Sequence, residues 1–185
     1  MHLYLIRHPK PQVAEGVCYG RRDLGVSPQD LEAAVKSVRD ALPEEVLAEA
    51  TIFTSPLARC RLLAEALAHP SVPNPAPELL EVDFGRWDGL PWNEVPRAEL
   101  DAWAEDQRFY RPGGGESVDM VAARVQQWAT ARYREGAPQA IAITHAGVIR
   151  VARACASGSW ADCFEGTPIG FGTVHCLTVG AGYGS

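Results

Sequence analysis

Two histidines and two arginines stand where three predicted strands end. Arg7-His8 follows an apolar run at 3–6. Ser55 to Arg59 follows a run at 51–54, and His145-Ala146-Gly147 follows one at 140–144. In open α/β sheets the carboxyl ends of the strands form the ligand crevice. Helices that start there add free backbone N–H groups and a positive dipole end. Such a cluster is an anion site, and phosphate is the commonest anion to need so many donors. Arg59 falls in the first turn of its helix, where a cation opposes the dipole and a bound anion would balance it. Each residue also has an ordinary reading. A lone histidine after a strand usually makes one loop hydrogen bond, and an arginine on a helix usually faces solvent. Two histidines can also hold a metal. No H-x-H, H-x-x-x-H or H-E-x-x-H spacing occurs, however, and no aspartate adjoins either histidine.

These groups need a scaffold that brings strand ends together. The runs at 3–6, 51–54 and 140–144 read as buried strands of a parallel sheet. Residues 8–26 have no period and read as a long loop, a common location for function. Ser27-Pro28 opens a helix whose apolar stripe is Leu31, Ala34, Val35, Val38 and Leu42. Ser55-Pro56 repeats that signal and opens a helix to about His69. A proline-rich connection runs from Pro70 to Pro77, and Glu78 to Leu80 reads as a short strand. Residues 81–115, with Trp87, Trp92 and Trp103, read as irregular with short helices. A long helix follows over 117–134, with Glu116 and Ser117 capping it, then a helix over 147–156 and a strand over 171–179. Strands alternating with helices predict a three-layer α/β sandwich: a mostly parallel central sheet, helices on both faces and a small irregular or helical cap. The whole chain, 1–185, is expected to be one domain with a cap-like insertion at about 85–115. His69 and His175 read as structural, and the three tryptophans as cap packing with one of them a candidate pocket wall.

Leu5-Ile6-Arg7-His8-Pro9 resembles the Arg-His-Gly signature of the histidine phosphatase superfamily, the phosphoglycerate mutase-like proteins. The resemblance continues in order along the chain. Tyr19-Gly20-x-x-Asp23-Leu24-x-x-Ser27 is similar to that family's loop and helix start, and Thr54-Ser55-Pro56-Leu57-Ala58-Arg59 to its Ser-x-x-x-Arg element. Leu80-Glu81 to Asp88-Gly89 resembles its Glu-x-x-x-Gly-x-x-x-Gly element. Gly115-Glu116-Ser117 is similar to its Gly-Glu-Ser turn, and Thr144-His145-Ala146-Gly147 to its second histidine motif. The resemblance implies a covalent phosphoryl-transfer site. His8 would be the nucleophile, and Arg7, Arg59 and a protonated His145 would hold the phosphoryl oxygens. Glu81 would be the proton donor, with Asp83 as its backup. Tyr19, Gly20 and Ala146 would join Arg7, His8, Arg59 and His145 in binding substrate. No metal or other cofactor is implied. Two positions depart from the pattern: Pro9 replaces a glycine and so removes a backbone N–H, and Ala14 replaces an asparagine found in many members. Pro9 followed by Gly16-Val17-Cys18-Tyr19-Gly20 resembles the α-ribazole-5′-phosphate phosphatase branch.

Composition narrows the classes further. A net charge of −6 argues against a general nucleic-acid binder. No apolar run approaches the ~20 residues of a membrane span, and Arg7 and His8 interrupt the only N-terminal one, so the chain is expected to be cytoplasmic. Cys18, Cys60, Cys155, Cys163 and Cys176 lack C-x-x-C spacing, which argues against structural zinc or a disulfide framework. Arginine outnumbers lysine 15 to 2, a bias that coding composition explains as readily as function. The expected partner is a small phosphate ester, with a homodimer left open. Hydrolysis is favoured over a phosphomutase because resembling mutases are longer. The complete set of Arg7, His8, Arg59, Glu81 and His145 argues against a silent phospho-ligand binder.

Overall fold

The computed structural model describes residues 1–68, 71–164 and 167–184. In chain order the elements are β1 (His2–Arg7), α1 (Pro28–Ala41), α2 (Glu44–Glu49), β2 (Thr51–Thr54), α3 (Ala58–Ala68), β3 (Asn74–Pro75), α4 (Arg97–Glu105), α5 (Val118–Arg134), β4 (Gln139–Thr144), α6 (Ala146–Ser157), α7 (Ala161–Phe164) and β5 (Val174–Thr178). The sheet order is β3-β2-β4-β1-β5. β3, β2, β4 and β1 run parallel, and β5 closes the edge antiparallel to β1.

Strand alternation divides the core between the two faces. Leu3, Leu5, Phe53, Ala140 and Ala142 pack against α5 and α6 through Val121, Val125, Trp128, Val148 and Ile149. Ile6, Ile52, Ile141 and Ile143 face α1 and α3 through Ala34, Val38, Cys60, Leu63 and Leu67. This is the predicted three-layer arrangement. Its register sets Arg7 opposite Thr144, and Ile143 between Ile6 and Thr54, so the three chemistry-bearing strand ends stop at one level. Between 85 and 115 lie α4 and three single 3₁₀ turns. Trp87, fully buried, packs there with Trp92, Trp103 and Tyr110, and its indole N–H donates to Glu99 at 2.7 Å. No helix among the described residues is long and apolar enough to cross a membrane.

Several local readings are corrected. α3 starts at Ala58, not at Ser55, because its cap comes from elsewhere in the chain: the Ala58 N–H donates to the Asp23 carboxylate at 2.7 Å. Ser55 is freed to turn inward. Glu78 to Leu80 is no strand. It is a 3₁₀ turn at Pro77–Leu79, and β3 lies instead in the proline-rich connection at Asn74–Pro75. The short helix α2 has no counterpart among the elements expected from sequence. The last strand begins at Val174, since Gly172 takes a positive φ of 67° that breaks the extended run. α6 begins at Ala146 with His145 at the capping position. Ser117 caps α5 by accepting from the Met120 N–H at 3.2 Å, but Glu116 does not cap. His175 lies 2.9 Å from Thr173 Oγ1 on the edge strand, a structural contact. The end of α3 at His69, and the reading of His69 itself, lie outside the described residues. Among those residues all five cysteines are free thiols.

Candidate active site

His8 stands one residue beyond β1. Its N–H still bonds Thr144 O at 2.9 Å, which holds the backbone in the sheet's frame. The ring is 1% exposed. Nδ1 lies 2.6 Å from Pro9 O, so Nδ1–H donates to that carbonyl and the lone pair is on Nε2. The proline that removes a backbone donor thus supplies the acceptor that fixes the tautomer. Burial lowers the His8 pKa to about 3, and the charges of Arg59 and Arg7 push the same way. His8 is therefore neutral at pH 7.

The His145 ring lies 5.0 Å from His8, centroid to centroid, and is fully buried. Its Nε2 is 2.8 Å from Ser55 Oγ and 3.4 Å from Cys60 Sγ. Burial holds its pKa well below the usual histidine value, with His8, Arg59 and Arg124 adding to the effect. The expected imidazolium is thus corrected for the unliganded site: so dry a pocket, already rich in cations, keeps His145 neutral. A phosphate dianion arriving beside it would draw the proton on.

Arg59, also fully buried, rises from the first turn of α3. It donates to Arg22 O and Gly20 O, each at 2.7 Å, and lies 5.6 Å from the Tyr19 ring centroid. Asp88 completes that loop by accepting the N–H groups of Gly20, Arg21 and Arg22 at 2.9–3.2 Å. Gly20 is required there, because a Cβ would sit 2.2 Å from Val82 O. Arg7 donates to Ile169 O and stacks on Phe171 at 3.8 Å from the ring centroid. Among the described residues neither arginine has a carboxylate within ion-pair distance, and the Nε–H of each is buried without a partner. For Arg59, buried without a counter-charge, this costs several kcal/mol (order of magnitude), and for the partly buried Arg7 it costs less. An anion in the crevice would remove that cost and use the orphaned donors.

Glu81 comes from the irregular segment after the 3₁₀ turn at Pro77–Leu79 and is 9% exposed. Its carboxylate accepts from the Val82 N–H at 3.1 Å and, weakly, from the Gly147 N–H at 3.4 Å. Burial raises its pKa, opposed by those N–H groups and by Arg59 and Arg7. A carboxyl with a raised pKa beside a neutral imidazole is the pairing that acid–base chemistry needs. Asp83 points away: it accepts from the Gly85 N–H at 2.8 Å and faces Arg21 at 3.6 Å, which removes it as a backup donor.

Gly147, one residue into α6, lets Glu81 approach. A Cβ there would lie 2.4 Å from Glu81 Oε1. Gly147→Ala is expected to displace the carboxyl and reduce kcat on alkyl phosphates by about 10- to 100-fold, consistent with loss of a positioned acid. A melting temperature within a few degrees of wild type would show that the loss is local.

Beside Glu81 and Gly147 opens a cavity of about 330 Å³, lined by Val82, Phe84, Trp103, Gln107, Val118, Arg150 and Phe164 among others. Trp103 is thus the tryptophan that serves as a pocket wall. Among the described residues no group of three or more His, Cys, Asp or Glu side chains is placed to hold a metal. The structure brings together Arg7, His8, Tyr19, Gly20, Arg59, Glu81 and His145, all read from the sequence, and Ala146 follows His145 as the first residue of α6. Sequence reasoning missed Phe171, whose ring is 5.7 Å from His8. Its flanking glycines, Gly170 and Gly172, were the available signal. Asp23 and Asp88 stand within the quoted motifs but were given no role; both work through backbone contacts, to Ala58 and to Gly20, Arg21 and Arg22.

A family model described as the histidine phosphatase superfamily, branch 1, matches residues 3–183. The chain belongs to that superfamily. As a member of the histidine phosphatase superfamily it is an enzyme, and solved structures agree on the fold. Phosphoglycerate mutase from Thermus thermophilus is similar at 29% identity with a TM-score of 0.69, covering 95% of this chain and 92% of that one. The alpha-ribazole phosphatase from Shigella flexneri has a TM-score of 0.82 at 22% identity, covering 99% and 93%. A phosphoserine phosphatase mutant from Entamoeba histolytica, in complex with phosphoserine, has a TM-score of 0.84 at 16% identity, covering 98% and 92%. At those last two identities the likeness speaks for the fold alone. A comparison with curated proteins returns no match.

Proposed function

We propose that this histidine phosphatase superfamily member is a metal-independent phosphomonoesterase working through a phosphohistidine on His8. The observation that carries the reading is the pair of carboxylate-free arginines, Arg59 fully buried and Arg7 partly so, each with an orphaned Nε–H, beside a neutral histidine of fixed tautomer. In the first step the His8 Nε2 lone pair forms a bond to phosphorus as the ester P–O bond breaks in line. Arg7, Arg59 and His145 stabilise the equatorial oxygens. Tyr19, Gly20 and Ala146 complete the binding surface. Glu81 gives its proton to the departing oxygen, then accepts one from the water that attacks the phosphohistidine. Orthophosphate leaves and His8 is restored. Two arginines supply the charge that a metal supplies elsewhere.

For the substrate we propose a small organic phosphate, with α-ribazole-5′-phosphate the leading candidate. The sequence around Pro9 to Gly20 supports it, as does the cavity beside Glu81, where the leaving group would sit. Phe84, Trp103 and Phe164 offer that cavity aromatic walls, and Gln107 and Arg150 offer it polar groups. A planar heterocycle on ribose suits such a lining better than a three-carbon acid does. The same reading treats 1–185 as one domain capped by 85–115, acting in the cytoplasm without nucleic acid. The net charge of −6 and the free thiols agree with it.

Turnover of p-nitrophenyl phosphate is expected to persist under excess chelator. Activity that appeared only on adding a divalent metal would overturn the mechanism. Across a panel of α-ribazole phosphate, phosphoserine and phosphoglycerates, kcat/KM should be highest for the first. Phosphate exchange between glycerate hydroxyls without release of orthophosphate would point to a mutase instead.

A further inference from the structure

Among the described residues Glu81 has no side-chain hydrogen-bond partner that could aim it. Its carboxylate accepts from the N–H of the next residue and, at 3.4 Å, from that of Gly147. The placement of the acid therefore depends on the backbone of 78–83, which lies outside the sheet and outside any long helix. Its carbonyls cannot be satisfied by a regular ladder, so side chains take over. Thr144 Oγ1 donates to Leu79 O at 2.7 Å. Arg124, in the second turn of α5, donates through Nη1 to Glu78 O at 2.5 Å and through Nη2 to Glu81 O at 3.2 Å.

Arg124 is itself held. Its Nε and Nη2 grip both oxygens of Glu116, at 3.1 and 3.0 Å. Glu116 also accepts from the Asp83 N–H at 3.2 Å and donates its own N–H to Asp83 O at 2.8 Å. Gly115 allows this approach, since a Cβ there would lie 2.0 Å from Asp83 O. Finally, Arg21 Nη2 meets Glu116 Oε1 at 3.0 Å. Arg21 belongs to the loop whose carbonyls Arg59 holds at residues 20 and 22. One chain of charged contacts thus ties the proton donor's segment to the loop of the phosphate-binding arginine. A fork of this kind fixes direction as well as distance, which an ammonium does not.

We infer that Arg124, fixed by Glu116, is a positioning residue for Glu81. It sets where the acid stands relative to the leaving oxygen, and Arg21 couples that setting to the loop of Arg59. The inference rests on the phosphatase reading for its catalytic consequence, but the geometry it describes exists without substrate.

The test uses the full-length enzyme with Arg124→Met, Arg124→Lys and Glu116→Gln. Alkyl phosphates, whose phosphorylation step needs the proton, should lose about 10- to 100-fold in kcat/KM in Arg124→Met, whereas p-nitrophenyl phosphate should lose about threefold or less in kcat/KM. The alkaline limb of the kcat profile should move to lower pH as Glu81 becomes better solvated. Arg124→Lys should recover only part of the loss, and added guanidinium should recover part of it in Arg124→Met. Equal losses on both substrate classes with an unmoved pH profile would overturn the inference and leave Arg124 a stabilising residue only. Carboxyl NMR of Glu81 in the unliganded protein supplies a readout independent of turnover. Its titration midpoint should fall in Arg124→Met and in the milder Glu116→Gln, and an unchanged midpoint in both overturns the positioning role. A wild type that hydrolyses no ester while that midpoint moves would sink the phosphatase reading and leave the positioning standing.

Discussion

His8→Ala is expected to lose phosphoenzyme entirely and to reduce kcat by about 10,000-fold or more, the scale seen when a covalent nucleophile is removed. Acid-labile label from a ³²P-ester should appear on wild type after a rapid quench and be missing from the variant. Retention of label would move the nucleophile elsewhere. His145 is the obvious alternative, but its Nε2 is occupied by Ser55 and Cys60. The His8 pKa, lowered to about 3, has two further consequences. First, the nucleophile stays unprotonated through mildly acidic pH, so the acid limb of kcat/KM assignable to His8 should lie far below neutrality. Second, it links folding to protons. Below the ordinary histidine value of 6.5 the unfolded chain takes up protons that buried His8 refuses. Stability should therefore rise with pH between about 3 and 6.5, and His145 contributes with the same sign. His8→Ala should flatten part of that slope in urea melts at a series of pH values. An unchanged slope would mean that His8 is solvated.

Glu81→Gln should separate the two halves of the reaction. With p-nitrophenyl phosphate the leaving group departs without a proton, and phosphorylation of His8 should slow only modestly. With an alkyl ester the rate should fall by about 100- to 10,000-fold, the range of general acid catalysis. Hydrolysis of the phosphohistidine should also slow, because Gln cannot accept the water's proton, so phosphoenzyme should accumulate on nitrophenyl substrates. The alkaline limb belongs to the wild-type carboxyl and should vanish in the variant. Equal slowing of the phosphorylation step, read as kcat/KM, on both ester classes would show that Glu81 is not the acid. The variant should also tell on stability. Burial raises the Glu81 pKa, so the folded protein holds a proton that the unfolded chain releases. That contribution is present below the unfolded value of 4.5 and is lost as pH rises through the folded one. Glu81→Gln, permanently neutral, should be less sensitive over that window.

Much of this protein is legible without coordinates, for local reasons. Short apolar runs bounded by polar strand ends gave β1, β2 and β4, because a strand buried on both faces must be apolar throughout. The 3.6-residue period gave α1 and α5, because each packs one stripe on the sheet. Arg7, His8, Arg59 and His145 were marked by their place after those strands, and the six motifs in order supplied Glu81 and the family. Tertiary structure decided what depends on contacts distant in sequence. Asp23 caps α3 from 35 positions away, which moved the helix start and released Ser55 to His145. The 78–83 segment has no period, since side chains from β4 and α5 satisfy its backbone. Phe171 reached Arg7 through a glycine turn that alternation disguised as strand. Protonation states belong to the same class. Histidine at two strand ends says nothing of charge. The dryness of the pocket and its two arginines leave both rings neutral, and the same dryness raises the Glu81 pKa against the pull of those arginines; burial of that kind arises only when all the layers close together.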